Sequence, residues 1–319
     1  MSMSPRPLIA VTGATGAQGG GLVRALLADP QQAFAVRALT RRPHGAAARA
    51  LAALGAEVVA ADLDDPASLP AALHGAHGLF AVTNFWEHFS PTREVQQATH
   101  LAEAARGARL RHVVWSTLED TRGHAALPTL RDRWKVPHMD AKAEADRAFA
   151  AAGVPTTCLL TSFYWDNLLQ GGLHPQRGRD GRLAWLLPID GARLPGIAAA
   201  DFGACAAGLF RRGASVVGQR VGIAGDRLTG AQMAAVLGDV LGEPVAHVTM
   251  PPEDYARLPF PGAPELANMF QFQRDCEASY CEVRSPETSR TLHPGLQTFA
   301  HWAAAHAAAL RRTVAASGA

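Results

Sequence analysis

Three glycines, Gly13, Gly16 and Gly19, constrain this chain more than any other feature. They lie in Thr12-Gly13-Ala14-Thr15-Gly16-Ala17-Gln18-Gly19. An apolar run, Leu8-Ile9-Ala10-Val11, leads in, and a helical pattern, Leu22, Val23, Leu26 and Leu27, leads out. The order is strand, tight glycine loop, helix. Such a loop turns backbone N–H groups and a helix N-terminus toward a pair of phosphates. A Cβ at these positions would block the turn, the approach of a pyrophosphate, or the contact of helix with strand.

Strand and helix patterns alternate through the first half. Strands are expected at Leu8–Thr12, Ala33–Thr40, Glu57–Ala61, Gly78–Val82, His112–Ser116 and Thr156–Leu160. Helices are expected at Gly45–Leu54, Pro66–Leu73, Thr92–Arg106 and His138–Ala152. This predicts an α/β fold of the Rossmann type, a doubly wound parallel sheet whose ligand lies beyond the carboxyl ends of the strands. After about Thr161 the alternation stops, and glycine and proline crowd Gly171–Gly196. Thr229-x-x-Gln232 forms a capping box before Met233, Val236, Leu237 and Leu241. Pro252–Leu258, Ala263–Cys276 and an Ala-rich Leu296–Leu310 complete a helical series. The expected division is residues 1–160 for a dinucleotide-binding domain and 161–319 for a smaller, mostly helical C-terminal region, partly interleaved with the first.

Composition excludes several classes. A formal charge of +2 gives no field that would draw nucleic acid or a membrane surface. No apolar run is long enough to span a bilayer. The four cysteines, Cys158, Cys205, Cys276 and Cys281, match neither a zinc spacing nor Cys-x-x-Cys. They read as reduced thiols of a cytoplasmic protein. No metal site is expected, because His74 with His77 and His301 with His306 lack companion carboxylates or thiolates.

The end of the second strand selects the dinucleotide. NAD binders place a carboxylate there for the ribose 2′-OH, whereas arginine accommodates the 2′-phosphate of NADP. Here the strand ends Leu39-Thr40-Arg41-Arg42-Pro43, with two guanidiniums and no acid. NADP(H) is therefore the expected cofactor. Asp62, after the third strand, suits either the adenine amine or a helix cap, as do Asp64 and Asp65 for the cap.

Tyrosine-dependent short-chain dehydrogenases carry Tyr-x-x-x-Lys on one helix face, after a strand ending in Ser or Thr. This chain has His138-Met139-Asp140-Ala141-Lys142 after Ser116 and Thr117. Lys142 keeps the register, and His138 stands where the tyrosine would be. Any proton donor is expected to be His138 or Tyr164, and Lys142 completes the candidate catalytic residues.

Further motifs carry a resemblance. They are Thr15-Gly16-Ala17-Gln18-Gly19-Gly20, Val82-Thr83-Asn84-Phe85-Trp86-Glu87, Tyr164-Trp165-Asp166-Asn167-Leu168-Leu169, Pro252-Glu253-Asp254-Tyr255, Phe260-Pro261-Gly262-Ala263 and Leu266-Ala267-Asn268-Met269-Phe270. In this order, over almost the whole chain, they resemble the NmrA-like family of atypical short-chain dehydrogenase-like proteins, and within it the HSCARG-type branch of NADPH sensors. The resemblance implies an NADP(H)-binding protein acting as a redox sensor or regulator. The alternative is an NADPH-dependent reductase of a small carbonyl, quinone or imine. By position it implies that Gly13, Ala14, Thr15, Gly16, Ala17, Gln18 and Gly19 hold the pyrophosphate. Arg41, helped by Arg42, meets the 2′-phosphate, and Asp62 and Leu63 line the adenine pocket. Thr83, Asn84 and Phe85 line the groove at the fourth strand, and Lys142 reaches the nicotinamide ribose. Tyr164, Trp165, Asp166 and Asn167 form a loop over the nicotinamide. His138 matches the branch. Gln96 replaces a lysine of the branch and Phe85 a tyrosine. A regulatory protein partner, a small-molecule substrate and a homodimer are all compatible with the resemblance.

Overall fold

The structure, a computed structural model, describes residues 6–170 and 172–316. Gly171, which opens the breaker-rich stretch of the sequence, lies outside the described residues. The chain divides into two compact units. One comprises Met1–Asp120, Pro137–Thr161 and Ala200–Val221, and the other Thr121–Val136, Ser162–Ala199 and Gly222–Ala319. The interleaving therefore runs deeper than a boundary at 160/161. Segment 121–136 departs to the second unit and 200–221 returns to the first.

The first unit is built on β1 (Leu8–Val11), β2 (Ala35–Thr40), β3 (Glu57–Ala60), β4 (Gly78–Ala81), β5 (His112–Thr117) and β6 (Thr156–Leu160). With the strand Arg220–Gly222 they form a seven-stranded sheet in which β6-β5-β4-β1-β2-β3 are adjacent in that order. The pairings along this run are parallel. The chain winds one way from β1 through β2 to β3, then resumes on the other side of β1 with β4. That reversal creates a switch point between β1 and β4. In register, Val11 faces Ala38 and Phe80, and Ala81 faces Trp115. The carboxyl ends at Thr12, Thr40, Val82 and Ser116 thus fall on one edge.

The helices of this unit include α1 (Ala17–Leu27), α2 (Ala46–Ala53), α3 (Leu69–Leu73), α4 (Pro91–Gly107), α5 (Pro137–Ala152) and α6 (Ala199–Arg212). The strands are nearly continuous apolar runs because both faces are covered. Ala10, Leu39, Leu79, Val113 and Trp115 from the sheet form one core with Leu69, Leu73, Leu101 and Phe149 from the helices.

The second unit is richer in strand than the sequence suggests. Besides its helices it has two three-stranded sheets. One joins Asp226–Thr229, Arg193–Ile197 and Phe163–Tyr164, and the other Val245–Val248, Leu183–Leu186 and Gln176–Arg177. Trp165, Trp185, Phe270, Phe299 and Trp302 fill its core. The capping box forms as expected: Thr229 accepts from Gln232 N, and the Gln232 side chain accepts from Thr229 N. The final Ala-rich segment is two helices, Phe299–Ala305 and Ala307–Ala316. At the break, His306 Nδ1 lies 2.7 Å from the Trp302 carbonyl.

Gly203 of α6 lets its helix backbone touch that of α1. A Cβ there would collide with backbone atoms of Gly21 and Leu22. Neither helix can yield without moving as a body. Gly203→Ala is expected to destabilise the protein by about 2–3 kcal/mol, measured by urea denaturation. An unchanged midpoint would show that the two helices do not approach as described.

Candidate cofactor-binding site

The glycine loop is anchored from below. Thr12 Oγ1 accepts from Val82 N at 2.8 Å and donates to Val82 O at 2.9 Å, tying the end of β1 to the end of β4. Gly13 then turns the chain with φ +57°, where a Cβ would meet Val82 Cγ1 at 2.8 Å. Gly16 N closes the turn on Gly13 O at 2.9 Å. At Gly19 a Cβ would fall 2.5 Å from the carbonyl oxygens of Thr12 and Gly13, so only glycine lets α1 start this close to the loop. Gly13, Thr15, Gly16 and Ala17 are exposed, whereas Ala14 and Gly19 are buried beneath them. The first turn of α1 has no side-chain cap and no acidic residue. An uncapped helix start with positive partial charge, open on one side, suits an anion. Gln18 adds an Oε1 that is buried without a hydrogen-bond partner. These features fit a dinucleotide pyrophosphate.

Arg41 and Arg42 are exposed just beyond β2. Arg41 Nη2 pairs with Glu87 Oε1 at 2.6 Å. Asp62 and Leu63 lie half-buried beyond β3. Asp62 Oδ1 accepts from Asp64 N at 3.0 Å, forming a local turn. The cap of the next helical turn is Asp65, which accepts from Ala67 N. Asp64 serves neither role. Hydrogen bonds from Arg93 above all, with Gln97, outweigh its partial burial and bring its carboxyl down to about 2.

Beyond β4 lies a cluster that pattern reading only half anticipates. Lys142 of α5 places Nζ 3.0 Å from Glu94 Oε1 of α4 and 2.9 Å from Thr83 Oγ1. It also donates to Thr83 O at 3.3 Å. The Thr83 hydroxyl donates in turn to Glu94 Oε1 at 2.5 Å. His88 Nε2 stands 3.4 Å from Glu94 Oε2, a long contact. Glu94 is fully buried. Burial alone would push its carboxyl up, but the Lys142 charge, the long His88 contact and hydrogen bonds from Thr83 and Lys142 hold it down at about 2. Glu94 is absent from the residues picked out of the sequence. Its signal is positional, since it shares the buried stripe of α4 with Gln97, Ala98, Leu101 and Ala105. An acid on a buried stripe needs a cation.

Phe85, Trp86 and His138 pack together at the same edge. The ring centres of Trp86 and His138 are 4.9 Å apart, and those of Phe85 and His138 6.0 Å apart. Phe85 and His138 are buried, whereas Trp86 is 43% exposed. Asn84 is exposed beside them. Ser116, at the end of β5, has a buried Oγ without a hydrogen-bond partner.

The residues Tyr164 to Asn167 belong to the second unit. Trp165 is not placed to line a groove. It is 1% exposed, packs on Phe299 and Trp302, and fills the space beside Gly196 and Gly225. Asp166 also has a structural task, since its Oδ2 accepts from Ala199 N at 2.8 Å. Tyr164 and Asn167 are half-buried. Within the loop Trp165 is thus a core residue and Asp166 a structural acceptor, while Tyr164, Asp166 and Asn167 keep part of their surface exposed.

The NmrA-like family model matches residues 5–303. The chain belongs to the NmrA-like family. An NmrA-like oxidoreductase of Aspergillus versicolor, notA', is 33% identical over 54% of this chain and 48% of its own length. The chain thus spans about half the length of that relative. An NAD(P)H azoreductase of Xenophilus azovorans is 30% identical over 95% of this chain and 99% of its own length. Among solved structures, NmrA, a negative transcriptional regulator in complex with NADP, superposes with a TM-score of 0.79. It is 21% identical and covers 99% of both chains. That likeness establishes the fold.

Removing the Glu94 charge leaves Lys142 buried without its counterion. Glu94→Gln is expected to cost about 3 kcal/mol at pH 7. A depressed carboxyl stabilises the fold above its usual value of 4.5, and that contribution disappears as pH falls toward about 2. The gap between wild type and variant should therefore narrow on acidification from pH 7 to pH 3, read by urea denaturation at each pH. A constant gap, or none at pH 7, would contradict the buried pair.

Proposed function

We propose that this protein binds NADP(H) at the glycine loop and passes hydride from it to a small planar acceptor of the azo, quinone or imine class. Bound there, the dihydronicotinamide would supply the hydride. The chain's own residues do the rest. The α1 start and the loop N–H groups hold the pyrophosphate, with Gln18 beside it. Arg41, helped by Arg42, recognises the 2′-phosphate, and Asp62 and Leu63 flank the adenine. Thr83, Asn84 and Phe85 line the edge of the fourth strand.

The observation that carries this reading is the proton chemistry of the edge. The tyrosine position is His138, packed under Trp86 and against Phe85. The Lys142 amine is engaged by Glu94 and Thr83. A tyrosine–lysine pair that protonates an alkoxide is thus missing. Quinone and azo acceptors, whose reduced form is a delocalised anion, and imines that arrive protonated as iminium ions have less need of such a donor, since the anion can take its proton from solvent and the iminium already carries one. The near full-length relationship to an NAD(P)H azoreductase supports the same choice.

A second reading keeps the cofactor and omits the turnover. In it the protein is an NADPH sensor of the HSCARG type, acting on a regulatory partner as a cytoplasmic protein or a homodimer. The engaged Lys142 favours it, since an amine held by Glu94 is not offered to a reacting group.

Two measurements test these readings. Arg41→Ala should weaken NADPH binding about ten-fold or more and NADH binding little, because a charge-assisted phosphate contact is lost. Calorimetry with both cofactors checks it, and equal losses would remove Arg41 from phosphate recognition. NADPH oxidation with azo dyes, quinones, cyclic imines and simple ketones separates enzyme from sensor. Turnover is expected with at least one conjugated acceptor and should survive His138→Phe. Tight NADPH binding with no oxidation across the panel would favour the sensor.

A further inference from the structure

An anion already occupies the guanidinium assigned to the 2′-phosphate. Glu87 Oε1 holds Arg41 Nη2 at 2.6 Å, and both side chains are about half exposed, 42% and 47%. Glu87 closes the helical turn Phe85–Glu87 that follows β4. The residue before it is Trp86, whose ring lies 4.9 Å from His138 and 5.7 Å from Phe89. The pair therefore links the end of β2 to the turn that carries the exposed tryptophan.

A phosphate monoester brings nearly two charges and three acceptor oxygens to an arginine, where a carboxylate brings one charge and two oxygens. It can displace Glu87. The 2′-hydroxyl of NAD(H) carries no charge and cannot. We propose that Glu87 is a specificity-determining residue, an internal competitor that NADP(H) must displace from Arg41 and NAD(H) leaves in place. Displacement also frees the Glu87 carboxylate next to Trp86 in the chain, so the environment of Trp86 differs between the two bound states. This rests on the reading that Arg41 recognises the 2′-phosphate.

The test is a double-mutant cycle on the full chain with Glu87→Gln, Arg41→Ala and the pair, each titrated with NADPH and NADH by calorimetry. An exposed ion pair is weak, so Glu87→Gln should tighten NADPH by about 2- to 5-fold and change NADH less than about 2-fold. In the Arg41→Ala background the same change should have no effect on NADPH. Tryptophan emission supplies a second readout. NADP⁺ should shift it in a way that NAD⁺ does not, and Trp86→Phe should abolish the difference. If Arg41→Ala weakens both cofactors equally, the phosphate reading fails and the competitor with it. If Arg41→Ala is phosphate-selective but Glu87→Gln leaves NADPH unchanged or weaker, the competitor alone is refuted.

Discussion

A lysine and a glutamate buried together hold the working edge of the first unit in shape. Burying two charges costs several kcal/mol for each before anything is recovered. Here the recovery is local and dense. Lys142 meets Glu94 at 3.0 Å, and the Thr83 hydroxyl bridges them at 2.9 and 2.5 Å. The three residues come from α5, α4 and the segment leaving β4. The pair therefore fixes where β4 ends, and Phe85, Trp86 and Glu87 follow from that end. Well-packed apolar residues would hold two helices together at lower cost. What the ion pair adds is a definite position for a cation beside the end of β4.

The glycine loop depends on the same strand from the other side. Thr12 ties β1 to β4 through Val82, and Gly13 packs against the Val82 side chain. An exposed glycine turn after β1 and a buried cation beyond β4 are thereby set on neighbouring strands at the switch point. The geometry separates two tasks that a tyrosine-dependent enzyme combines. On the proposed reading, cofactor recognition is provided for by the loop, the uncapped α1 start and Arg41. Proton delivery is not, because His138 lies beneath Trp86 and Lys142 is committed to Glu94.

The first unit was legible because its signals are local and strong. The strands Leu8–Val11, Glu57–Ala60 and Thr156–Leu160 fall within a residue of where apolar runs between turn residues predict them. The second unit was less so. Phe163–Tyr164 and Gln176–Arg177 are two-residue strands that exist only through their partners, so no periodicity announces them. The last helix breaks at His306 although its alanines favour continuity, and the packing of that ring on Trp302 accompanies the break. Trp165 illustrates a different limit. An aromatic beside polar residues after a strand suits a ligand groove or a core equally, and only the three-dimensional neighbours Phe299 and Trp302 decide for the core. Glu94 carries little signal of its own, because an acid on the buried stripe of α4 becomes informative only once Lys142 is known to be buried opposite it.

A crystal structure with NADP⁺ bound tests the central claim most directly. The pyrophosphate is expected on the N–H groups between Gly13 and Gln18, the 2′-phosphate in hydrogen-bond contact with Arg41, and Lys142 still on Glu94. A dinucleotide that left the glycine loop empty, or a 2′-phosphate in solvent with Arg41 still on Glu87, would contradict it.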